Sequence, residues 1–164
     1  MNTPEAATAT AESLRYQVQA GQFAEALSRV DSLSPDDTAW GDLLIVLRDA
    51  AERKGDDAIF LSRARALLAR TDDKPLRARI QYNIGRVHQL AGRDGEAIAA
   101  FQAAVAEGDK LEYAKVASGR IYDLTKLRIG QPAPDFSVTA LSGKTISLAS
   151  LRGHTAVFVY WASW

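Results

Sequence analysis

The chain has 164 residues, of which 47% are hydrophobic and 24% charged, enough to build one or two globular domains with a substantial core. Twenty basic and twenty acidic side chains cancel, so no net field draws it to nucleic acid or to an anionic membrane surface. The lack of any cysteine excludes disulfides and thiol chemistry within these residues, while leaving the redox compartment open.

Residues 1–10 carry neither the basic region nor the apolar run of a leader, and no later run reaches the length of about 18 apolar residues that a membrane span needs. A chain that begins this way is expected to stay in the cytoplasm. A mature domain whose signal segment had been replaced by a starting Met reads the same, so the sequence leaves the native compartment unassigned.

Composition divides the chain near residue 127. All but four of the charged side chains lie before it, the exceptions being Arg128, Asp135, Lys144 and Arg152. Residues 1–127 are rich in Ala, Leu, Arg and Glu, all good helix formers, whereas residues 128–164 shift toward Val, Thr, Ile, Phe and Tyr. The expected domains are therefore 1–127, helical, and 128–164, extended.

Within the first, Gly21, Gly55 and Gly92 fall 34 and 37 residues apart, each followed by a new apolar-periodic run, which is the spacing of a repeated helix hairpin. Thr3 with Pro4 starts the first hairpin. Asp37 or Thr38 can cap the second, whose helices run from Trp40 through Leu43, Leu44 and Leu47 and, after Gly55, through Ile59, Phe60, Ala64 and Leu67. Asp73 before Pro75 opens the third. In that third hairpin Ile84, Gly85, His88, Gly92, Ala97, Phe101 and Ala104 stand at the offsets of the tetratricopeptide repeat, and the segment resembles a divergent TPR unit. Gly85 and Ala97 are expected to let its two helices approach closely, and Ile84, Phe101 and Val105 to fill the space between successive hairpins. A seventh helix, about Leu111 to Leu127, is expected to cover the last open apolar face.

Arg79, Tyr82, Arg86 and Gln89 follow one another at intervals of three, four and three, so they share one stripe of the helix before Gly92. In TPR units that stripe faces the groove where peptides lie, which makes these four the candidate partner-binding residues. Two guanidinium groups beside a Tyr suit a carboxylate or an acidic peptide, and a solvated basic face is the plainer reading. His88 and His154 lie in different segments, with no Cys or carboxylate pair at metal-ligand spacing, so no metal or other cofactor is expected. The Asp pairs at 36–37, 56–57 and 72–73 each stand where a helix starts and read as caps. Residues 92–95 lack the strand and Lys of a phosphate loop and read as a helix–helix turn.

After residue 128, Gly130, Pro132, Pro134, Gly143 and Gly153 separate short extended runs. Ser137–Leu141 and Thr145–Leu148 form a β-hairpin around Ser142, Gly143 and Lys144, with Gly143 free to take positive φ. Ser147–Arg152 reads as a helical turn and 155–164 as a final strand. The order of Gly130, Ala133–Phe136, Gly143-Lys144, Leu148, Leu151–Gly153 and Trp161–Trp164 resembles thioredoxin-like oxidoreductases of the TlpA/ResA type. The likeness departs at His154, where Lys is common, and at the Cys-x-x-Cys that follows the Trp strand in that family and has no counterpart here.

The resemblance implies an incomplete thioredoxin-like segment of one hairpin and one strand, in which Trp161, Ala162, Ser163 and Trp164 flank the active-site entry and meet a partner disulfide. Read without the family, the same two Trp simply pack at the end of a buried strand. The expected fold is thus mainly α, a TPR-like α-solenoid of helical hairpins followed by that incomplete β segment. The parent implied is an extracytoplasmic, periplasmic-type thiol-disulfide oxidoreductase whose partner is a thiol or disulfide protein. Residues 1–164 hold no catalytic residue of it and are expected to be redox-inert. Two other readings stand beside it: a non-enzymatic protein-interaction module or scaffold, and a peroxiredoxin-type parent, against which the sequence Trp161 to Trp164 argues.

Overall fold

The computed structural model describes residues 4–34 and 39–159. Seven α-helices lie among them: α1 (Pro4–Gln19), α2 (Phe23–Asp31), α3 (Trp40–Lys54), α4 (Asp57–Leu68), α5 (Lys74–Leu90), α6 (Asp94–Ala106) and α7 (Glu112–Lys126). Two short strands follow, β1 (Ser137–Thr139) and β2 (Thr145–Ser147), and then a single 3-10 turn, Ala149–Leu151. The fold is mainly helical with a small antiparallel sheet. It divides into two compact units, Met1–Leu124 and Thr125–Trp164.

The helical unit repeats one local device three times. Gly21, Gly55 and Gly92 take φ of 80°, 65° and 71°, a left-handed conformation in which a side chain is strained. At each, the Gly N–H reaches back to the third residue before it, and the next N–H reaches the fifth residue before itself: Gln22 to Gln17, Asp56 to Ala51 and Arg93 to His88. These paired bonds satisfy the last carbonyls of the first helix and turn the chain into the second. The residue after each Gly is also the N-cap of the following helix.

Side-chain caps mark two of the starts. Asp56 accepts from the N–H of Ala58 at 3.0 Å, and Asp73 accepts from that of Leu76 at 3.0 Å with a Pro in the first turn of α5. The N-cap of α3 is Ala39; Asp37 and Thr38, expected there, lie outside the described residues, as does Thr3.

Within each hairpin the two helices pack on each other, and α1 packs on α3 and α3 on α5. Leu14 and Val18 of α1, Leu43, Leu44 and Leu47 of α3, Phe60 and Leu67 of α4 and Ile80, Ile84 and Val87 of α5 form one buried cluster. A second cluster joins Ala97, Phe101 and Ala104 of α6 to Ala117 of α7, with Tyr82, Ile121 and Leu124 against it. Ile84 does lie between hairpins. Phe101 lies in the cluster that joins α6 to α7, and its ring also rests directly on Gly85 of its own hairpin, where the missing Cβ makes room for it.

In the second unit, Ser137, Val138 and Thr139 pair with Ser147, Ile146 and Thr145. The expected turn closes them, with Gly143 at φ 81° donating to the carbonyl of Ala140 at 2.8 Å. Ser147 and Ser150 cap the 3-10 turn reciprocally, each hydroxyl accepting from the other's N–H. The expected final strand is not seen as such. Residues 155–159 have no ladder partner among the described residues, and Val157 and Val159 are 83% and 69% exposed; an extended run becomes a strand only when a neighbouring backbone takes its N–H and C=O groups. Residues 160–164 lie outside the described residues.

Candidate functional site

The four residues of the α5 stripe have different surroundings. The Arg79 guanidinium lies over the Tyr113 ring of α7, 5.2 Å from its centroid, and reaches Asp42 of α3 at 3.6 Å. Its Nη1 rests against Gly41, where a Cβ would collide with it. Its Nε is buried and has no hydrogen-bond partner among the described residues. Tyr82 stands between Phe101 and Tyr113, with ring centroids 5.7 and 5.3 Å away. Arg86 donates to the Gln89 side chain at 2.8 Å. All four residues of the stripe are half-buried, but their contacts differ: Arg79 and Tyr82 are built into aromatic packing, and Arg86 with Gln89 forms a polar pair.

Asn83, one position from Tyr82, is buried and joins the helices. It donates to the Arg79 carbonyl at 2.9 Å and accepts from Arg48 of α3 at 3.2 Å; Arg48 in turn lies 3.5 Å from Asp49. The face thus carries the guanidinium groups of Arg48, Arg79 and Arg86 with the carboxylates of Asp42 and Asp49 among them. Sequence reasoning along one helix missed Asp42, Arg48 and Tyr113. One signal for Asp42 was present, since it precedes Gly55 by the same thirteen residues by which Arg79 precedes Gly92.

His88 is buried, and its Nδ1 accepts from Arg93 Nε at 2.9 Å, a satisfied packing histidine as its position suggested. His154 lies in the bend after Gly153, its N–H donating to the Leu151 carbonyl. In the second unit Ala133–Phe136, Val138, Phe158 and Val159 border a cleft of about 580 Å3 with mainly apolar walls. Phe136 and Phe158 meet there edge to face at 5.3 Å. Trp161, Ala162, Ser163 and Trp164 lie outside the described residues. Nothing in the chain supplies a thiol.

No family model matches the chain, and no solved structure matches it. Over 46 residues it is 41% identical to the thiol-disulfide oxidoreductase ResA of Bacillus thuringiensis (strain Al Hakam), and the same holds for the proteins of that name from Bacillus cereus (strain ZK / E33L) and Bacillus anthracis. The match covers 28% of this chain and 27% of each relative, so the chain spans about a quarter of the length of the curated relatives it matches. It is a partial similarity to a thiol-disulfide oxidoreductase, carried by a helical protein with a small β segment.

Proposed function

We propose that residues 128–164 are the opening part of a thioredoxin-like domain, and that residues 1–127 are a TPR-like unit that holds a protein partner for a thiol-disulfide oxidoreductase. The observation that carries this reading is the 41% identity over 46 residues to a protein of that activity. The order of motifs from Gly130 to Gly153 agrees with it. Disulfide exchange begins with attack by a thiolate, and no side chain from Met1 to Trp164 provides one. The 164-residue chain is accordingly redox-inert: in an insulin-reduction assay with dithiothreitol it accelerates nothing over buffer, and measurable turnover would refute this. The parent activity is tested by the gene. A reading frame that continues past codon 164 into Cys-x-x-Cys supports it, and a stop or a thiol-free continuation overturns it.

The helical unit bears the second half of the proposal. Arg86, half-buried and paired with Gln89, lies one turn along α5 from Asn83, which accepts from Arg48 of the neighbouring hairpin, and planar guanidinium groups in that setting take carboxylates in forked geometry. A fluorescein-labelled Glu-rich hexapeptide binds this face, and Arg86→Glu weakens the binding by roughly tenfold, a change of about 1.4 kcal/mol. Fluorescence anisotropy at low and high salt measures it, with affinity falling as salt rises. Equal affinity for the variant and the parent chain would move the peptide elsewhere.

A further inference from the structure

The turn between α5 and α6 departs from its two counterparts in one respect. Its N-cap position, held by Gln22 and Asp56 in the earlier hairpins, is held by Arg93, a side chain with no acceptor to offer the free N–H groups of a helix start. A cation is also poorly placed at the positive end of a helix. The Arg93 side chain does something else. Its Nε donates to His88 Nδ1 at 2.9 Å, and its Nη2 donates to Asp57 Oδ2 at 2.6 Å, where Asp57 opens α4 of the preceding hairpin. Its own N–H is fixed on the His88 carbonyl at 2.9 Å. One guanidinium therefore spans the end of α5 and the start of α4.

The link depends on the charge of His88. A ring nitrogen that accepts from a guanidinium N–H must carry a free lone pair, so the imidazole in this arrangement is neutral with its proton on Nε2. We propose that His88, Arg93 and Asp57 form an acid-released latch between the second and third helix hairpins. Protonation from bulk water occupies the lone pair at Nδ1 and sets an imidazolium against Arg93, with Arg65 of α4 adding to the repulsion. Arg93 then swings away and Asp57 loses its partner. Glu96 of α6 and Asp57 itself oppose the change by favouring the charged ring, but burial outweighs them. With the residue only 8% exposed, desolvation is the largest influence, Arg93 the next, and together they hold the pKa of His88 below its ordinary value of 6.5.

The direction with pH follows from proton counting. Between the lowered folded value and 6.5 the unfolded or opened chain binds the proton and the latched one does not. The latch is therefore at full strength above about pH 6.5 and weakens as pH falls below it.

The test is hydrogen exchange of the full chain at pH 7.5 and 5.5, corrected for intrinsic rates, read in peptides from the start of α4 and from the α5–α6 turn. Protection in both peptides falls several-fold at pH 5.5. His88→Gln, which keeps an acceptor and cannot titrate, removes that fall. Asp57→Asn gives the pH 5.5 pattern already at pH 7.5. Identical pH dependence in His88→Gln and the parent chain would overturn the latch. The unsubstituted ring gives an independent reading by NMR: titration below 6.5 with Nε2 protonated at neutral pH supports it, and titration at or above 6.5, or a proton on Nδ1, overturns it.

Discussion

Phe101→Ala lowers the stability of the helical unit by about 3–5 kcal/mol, the range for removing a fully buried aromatic ring. The ring is 0% exposed, and its neighbours Ala97, Ala104 and Ala117 are too short to close the space it leaves. The companion change is more discriminating. Gly85→Ala would relieve a helix-propensity penalty of about 1 kcal/mol, so propensity alone predicts a more stable protein. A Cβ at that position, however, would lie 2.5 and 2.6 Å from Cε1 and Cδ1 of Phe101. Those are atoms of a fully buried ring, already packed against Tyr82 at 5.7 Å between centroids and clustered with Ala97, Ala104 and Ala117, so little room is left for it to move. Overpacking of this kind costs about 1–3 kcal/mol or more, which exceeds the propensity gain. Gly85→Ala therefore destabilises. In a Phe101→Leu background the same substitution costs at least about 1 kcal/mol less, because the colliding atoms are gone. Urea unfolding followed by far-UV circular dichroism measures Phe101→Ala and the four proteins of the Gly85–Phe101 cycle; a stabilised Gly85→Ala, or no coupling with Phe101, would show that the ring does not rest on Gly85.

The helices and the turns between them were readable because their signals are local. Gly21, Gly55 and Gly92 are required by a left-handed turn, Asp56 and Asp73 by free N–H groups, and the apolar stripes by the helical period. Each of these acts within about five residues. What could not be read acts between elements. The stripe from Arg79 to Gln89 was visible as a stripe, yet Tyr113 and Asp42, which fix Arg79, come from flanking helices. Phe101 was recognised as core, but its seat on Gly85 of α5 together with its packing toward Ala117 of α7 involves three helices at once. Residues 155–159 have strand composition, and composition describes the side chains rather than the partner that a ladder needs. The Trp161 to Trp164 reading lies outside the described residues and stands on resemblance alone.

Arg77 is the second position where one substitution has a large effect, and here the reason is polar. Its Nε donates to Glu107 Oε1 at 2.8 Å, and its Nη1 donates to the carbonyls of Leu68 at 3.0 Å and Thr71 at 2.9 Å. Leu68 is the last residue of α4, Thr71 is a buried residue of the following linker, and Glu107 is the C-cap of α6. A single planar group near the start of α5 thus satisfies carbonyls at one helix end and the carboxylate at another, positions where a cation also meets the negative end of the helix dipole. Truncation leaves those carbonyls without their donor and a carboxylate, only 17% exposed, without its counter-charge. Arg77→Ala is expected to cost about 2–4 kcal/mol, since hydrogen bonds to charged groups are worth about 1.5–3 kcal/mol each and do not add fully when they share one donor group. Glu107→Gln keeps the bonds to Leu68 and Thr71 and costs about 1–2 kcal/mol. Arg77→Lys falls between, because an ammonium has the charge without the fan of donors that reaches three acceptors. Urea midpoints give the order. If Glu107→Gln proves as costly as Arg77→Ala, the ion pair dominates and the two carbonyl bonds contribute little; the geometry requires the reverse, with Arg77 acting first as the clamp that holds the ends of α4 and α6 to the start of α5.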